Sequence, residues 1–93
     1  MVKGYCIIVD MRVQAGYTEY CRFYIGEDRS RARALFDSLH GSIVIESILL
    51  RMSLVNLDDT PHEVLVVRYC TLAELTDNCR LITKEVFRYF NIE

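Results

Sequence analysis

Ninety-three residues with 52% hydrophobic content and a formal net charge of −2 describe one small folded domain, residues 1–93, and exclude a disordered chain. A pI near 5.6 argues against a nucleic-acid binder, which carries a marked basic excess. No run approaches the ~20 apolar residues of a membrane span, and the apolar run after Met1-Val2-Lys3-Gly4 stops at Asp10, too early for an export signal.

Tyr5 to Val13 is the stretch around which the chain is organised. Its odd positions, Tyr5, Ile7, Val9, Met11 and Val13, are apolar, while Cys6, Ile8, Asp10 and Arg12 turn from apolar to polar. This period-two pattern predicts a strand with one full core face. Ala15-Gly16-Tyr17 is short enough for a hairpin. A second strand over Thr18–Ile25 sends Cys21, Phe23 and Ile25 inward and Tyr20, Arg22 and Tyr24 outward.

Asp28 is placed to cap a helix over Arg29–His40, because its carboxylate accepts amide protons of the first turn. The Gly26-Glu27-Asp28-Arg29 run is a cap and not an anion site, since two acids repel phosphate. Ala32, Leu35, Phe36 and Leu39 share one helical face. Arg33 and Asp37 form an i, i+4 pair, and Gly41 is a natural closing residue.

The run from Glu46 to Leu57 alternates, with Ile48, Leu50, Met52 and Leu54 on one face and Ser47, Arg51 and Ser53 on the other. It predicts a third strand. Asp58-Asp59-Thr60-Pro61 is turn chemistry. His62–Cys70 follows as a fourth strand, with Leu65, Val67 and Tyr69 assigned to the core and Val64, Val66 and Arg68 to the other face. Thr71 and Glu74 make a capping box. The final helix, Leu72–Tyr89, carries the stripe Leu72, Leu75, Cys79, Ile82, Val86 and Phe90.

The order ββαββα predicts an α+β, two-layer sandwich: a four-stranded antiparallel sheet with both helices on one face. Pairing the first and third strands in the middle gives the order 2-1-3-4; the order 1-2-4-3 is antiparallel too.

The face without helices then carries an arginine from each of several strands, set among tyrosines and aliphatic residues. Tyr20, Arg22, Tyr24, Arg51 and Arg68 are the candidate partner or ligand residues. Ile8, Leu49, Val55, Val64 and Val66 join them as apolar area that a monomer seldom leaves wet. Cross-strand pairing, a face-to-face homodimer and a platform for a small anion suit this composition; single-stranded RNA stacked on the tyrosines is disfavoured by the acidic pI and the lack of an RNP-like G-F-x-F run.

Asp58, Asp59, His62 and Glu63 crowd one turn but have no ligand spacing, so no metal or other cofactor is expected. His40 and His62 lack a nucleophile motif, and no catalytic residue is assigned. Asp10 and Glu46 are the carboxylates inside strongly apolar strands; against a general base with a perturbed pKa, a salt bridge to Arg12, Arg22 or Arg51 is the expected role of each. Cys6, Cys21, Cys70 and Cys79 have no C-x-x-C spacing and read as reduced, mostly buried small apolar residues of a cytoplasmic protein. The expectation is a non-enzymatic, dimerising structural or regulatory module, with a small-molecule or anion-binding domain as the alternative.

Overall fold

The computed structural model of the protein describes residues 3–44 and 50–90. Its elements are β1 (Tyr5–Val13), β2 (Gly16–Gly26), α1 (Arg29–Asp37), β3 (Leu50–Asn56), β4 (Glu63–Cys70) and α2 (Leu72–Tyr89). The strands form one antiparallel sheet in the order β2-β1-β3-β4. The fold is therefore the two-layer ββαββα arrangement, with the first of the two strand orders. The N-terminal part of the expected third strand, with Glu46, Ile48 and Leu49, lies outside the described residues.

Both helices pack on the same face of the sheet. Ile7 and Val9 of β1, Met52 and Leu54 of β3, Ala32 and Phe36 of α1, and Leu75 and Ile82 of α2 belong to one buried cluster. The alternation in β1 decides this: every second side chain points at the helix side, and Tyr5, Ile7 and Val9 are buried there, with Val13 at the strand end exposed. Each helix is held at its start. Asp28 accepts from the Arg31 amide, and Thr71 and Glu74 form the reciprocal capping box. Gly4 closes the end of the sheet, with φ of +108° and its Cα facing the Gly26 carbonyl, where a Cβ would collide. Its amide donates to Asp58 Oδ1 at 2.8 Å, and its carbonyl accepts from Leu57 N–H at 2.8 Å.

The first helix is shorter than expected. It stops at Asp37, with Ser38 as its cap, and Gly41 does not close it. The chain leaves early because it is held elsewhere. The fully buried Asn78 of α2 accepts from the His40 amide and donates to the His40 carbonyl, both at 2.8 Å. Ser42 then bridges Tyr69 on the outer edge of β4 through two backbone hydrogen bonds. Gly41 is needed for that approach: a Cβ there would stand 2.8 Å from the Tyr69 carbonyl oxygen.

Three bulges interrupt the pairing, and two of them, at Tyr20 and Leu65, shift the expected faces. Opposite β1, the pairing passes from Cys21 to Glu19, leaving Tyr20 unopposed, and from Gly26 to Tyr24, leaving Ile25 unopposed. In β4 it passes from Val66 to Val64, leaving Leu65 unopposed. Beyond Leu65 the parity of β4 is reversed relative to the sequence reading. Val66 and Arg68 lie on the helix side, opposite Leu54 and Met52, whereas Val67 and Tyr69 lie on the open face, opposite Ser53 and Arg51.

Candidate functional site

The register lays the open face out in three rows that cross all four strands. The first is Tyr24, Cys6, Val55 and Val64; the second is Arg22, Ile8, Ser53 and Val67; the third is Glu19, Asp10, Arg51 and Tyr69. The first row is apolar. Cys6, Val55 and Leu57 form a small buried cluster of their own, with Ile8 against it. At the two edges of that row the apolar surface is open: Tyr24 is 40% exposed and Val64 56%.

The third row carries charge, and the charge is paired. Asp10 Oδ2 accepts from Arg51 Nη2 at 3.0 Å and from Nε at 3.3 Å. The Arg51 guanidinium also lies over the Tyr17 ring, 3.9 Å from its centroid. Arg22 reaches along its own strand to Glu19, with Nε 2.8 Å from Oε2 and Nη2 2.6 Å from Oε1. The bulge at Tyr20 makes this two-pronged contact available by bringing Glu19 to the same face as Arg22. The hydrogen bonds hold the Glu19 carboxyl below its ordinary value and raise that of Arg22. Loss of solvent at the face raises the Tyr24 hydroxyl, with Glu27 adding to the effect. Burial raises the Cys6 thiol despite the nearby Arg22.

Three of the five sequence candidates, Arg22, Tyr24 and Arg51, meet on this face. Tyr20 is the unopposed bulge residue and stands 61% exposed at the sheet edge. Arg68 does not belong to the face. It emerges on the helix side, with its guanidinium 5.6 Å from the Phe36 ring centroid and Nη2 3.7 Å from Asp37 Oδ1. Its aliphatic stem covers the core while the charged end reaches the rim. Val66 likewise packs against the helix-side core, and Val55 is buried. Tyr17, Glu19, Val67 and Tyr69 are face residues that sequence reasoning missed. The signal in β4 was Cys70: its even parity, shared with Arg68, belongs to the core.

The Asp58–Glu63 turn is structural where the structure defines its contacts. Asp58 receives the Gly4 amide, and its own amide donates to Asn56 Oδ1 at 2.9 Å. Among the described residues no group of three or more His, Cys, Asp or Glu side chains is arranged to hold a metal ion. All four cysteines are free thiols. No helix among the described residues is long and apolar enough to cross a membrane. Comparison with protein-family models, curated proteins and solved structures gives no match.

Proposed function

We propose that the chain is a non-enzymatic, cytoplasmic interaction module that forms a homodimer through the open face of its sheet. The internal pairing of the charges on that face carries this reading. Arg51 is held by Asp10 and Arg22 by Glu19, so covering the face with a second copy leaves neither guanidinium without a carboxylate. The same pairing counts against the anion-binding alternative, since an incoming anion must displace a carboxylate already in place. The absence of a basic excess counts against nucleic acid. The free thiols support the cytoplasmic assignment.

Two sheets packed face to face keep their strands within roughly 30° of one another. A two-fold axis along the strands lays each row on its own copy, with β2 of one protomer over β4 of the other. Tyr24 then meets Val64, and Glu19 lies beside Tyr69. A contact of this kind buries ~1,200–2,000 Å² in total.

The test is Val64→Glu, which puts a carboxylate at the most open apolar position of the first row and leaves the helix-side core intact. Val66 is unsuitable, because its side chain packs into that core. Light scattering is expected to report a dimer for the wild type at tens of micromolar and a folded monomer for Val64→Glu. A monomeric wild type removes the dimer. A rise in melting temperature with small anions would then favour the ligand alternative.

A further inference from the structure

On the opposite side of the molecule a groove runs between α1 and α2, lined chiefly by Ile25, Arg31, Leu35, Leu81, Val86 and Tyr89. Its volume is about 350 Å³, within the ~300–1,000 Å³ range of small-molecule sites. The groove exists because α1 contributes Ala34 and Ser38 to its wall, side chains too short to fill the space before Leu81 and Glu85. Ser38 is also turned back on its own helix, its hydroxyl donating to the Leu35 carbonyl at 2.6 Å.

The polar groups of the groove are unevenly placed. The Arg31 guanidinium lies over the Tyr89 ring, 4.2 Å from its centroid. Tyr89 is itself fixed, its ring against Gly26 and edge-on to Phe90 at 4.9 Å. Arg31 makes no side-chain ion pair among the described residues, and the acid in the wall, Glu85, is engaged by Arg88 at 3.6 Å. One cation therefore stands, pre-positioned by an aromatic ring, beside an apolar trough.

We infer that this groove binds a medium-chain alkyl carboxylate, its chain along Leu35, Leu81 and Val86 and its carboxylate on Arg31. A compact dianion such as phosphate is disfavoured by Glu85 and by the apolar walls. A neutral chain forgoes the charge-assisted contact to a guanidinium. This site is separate from the sheet face, so its fate does not depend on whether the protein dimerises.

Sodium octanoate, kept below the concentration at which it forms micelles, is the probe. Titrated into the ¹⁵N-labelled 93-residue chain, it is expected to give saturable shifts at the amides of Ala34, Leu35, Leu81 and Val86. Octanol, with the same chain and no charge, is expected to bind at least tenfold more weakly. Arg31→Gln, at an exposed position, is expected to weaken octanoate at least tenfold and leave octanol unchanged. Ala34→Phe, which fills the groove, is expected to abolish both. The proposal is overturned by absent shifts, by shifts confined to the open sheet face, by equal affinity for octanoate and octanol, or by Arg31→Gln binding octanoate as tightly as the wild type. If Ala34→Phe fails to fold, Arg31→Gln and the octanol comparison decide.

Discussion

Cys70 ends β4 with no exposed surface, and burial is what sets its chemistry. A thiolate there gives up its hydration, so the thiol is pushed up from 9.0 to about 11, with Glu74 and Cys79 adding smaller effects of the same sign. Cys6, Cys21 and Cys79 shift in the same direction, burial again being the largest cause. Between pH 9 and 11 the folded chain holds the Cys70 proton and the unfolded chain releases it. The stabilisation is complete below pH 9 and is lost as pH rises through the folded value. Two pH units correspond to ~2–3 kcal/mol. Urea denaturation of the wild type and Cys70→Ala should therefore converge by about that amount between pH 8 and pH 12. A difference that stays constant with pH would show that Cys70 does not titrate this way. The sequence places Cys21 and Cys79 on core-facing positions, where both are half-buried, whereas the two fully buried thiols are Cys6, under the open face, and Cys70. It could not show that Val64 lies on the opposite face from Val66 and Arg68, since nothing in Val64-Leu65-Val66-Val67 marks Leu65 as the bulge.

At the scale of elements, the strands and helices follow from patterns that repeat, and their ends follow from contacts that do not. The capping box of α2 and the middle of its stripe, Leu75, Cys79, Ile82 and Val86, are readable because each involves residues a few positions apart, whereas the stripe's end residues, Leu72 and Phe90, are exposed. The early stop of α1 is not readable, because its cause lies 38 residues away in Asn78. An asparagine between Asp77 and Cys79 looks like a solvent-facing residue until the fold brings His40 over it. Its side chain substitutes for a backbone partner, giving and receiving one hydrogen bond, and its amide also lies 3.4 Å from Met52 Sδ. Asn78→Ala leaves the His40 amide and carbonyl without these partners and opens a small cavity. The expected loss is about 2–4 kcal/mol in urea denaturation. Hydrogen exchange should show its largest gain at His40 and at the Ser42–Tyr69 bridge, which the tie positions. An unchanged denaturation midpoint would mean that the α1 terminus is held by packing alone.

The whole molecule was the most legible level for topology and the least legible for surface. Antiparallel pairing leaves two orders, 2-1-3-4 and 1-2-4-3, without knowledge of any single contact, and the sheet takes the first, β2-β1-β3-β4, with two strongly apolar strands in the middle. The composition of the open face depends instead on where two bulges fall. One brings Glu19 to Arg22, and the other exchanges Val66 and Arg68 for Val67 and Tyr69. The sequence reading therefore set three arginines against one acid, whereas the face holds Arg22 and Arg51 each with its own carboxylate.

That balance makes the proposed dimer testable through stability as well as mass. If two folded chains associate and two unfolded chains do not, mass action raises the melting temperature with protein concentration. A 100-fold increase in concentration is worth ~2.7 kcal/mol per dimer, or ~1.4 kcal/mol per chain. About 1 kcal/mol moves the melting point of a domain this size by roughly 4–8 °C. The wild type is thus expected to melt roughly 5–10 °C higher after a 100-fold increase above its dissociation constant. Val64→Glu should melt at one temperature throughout, close to the wild-type value in the dilute limit, because its helix-side core is untouched. A wild type with a flat concentration profile would place the stability of the fold in a single chain. A Val64→Glu variant that melts well below the dilute wild type would show that Val64 supports the chain itself, and the sheet face would lose its claim as the interface.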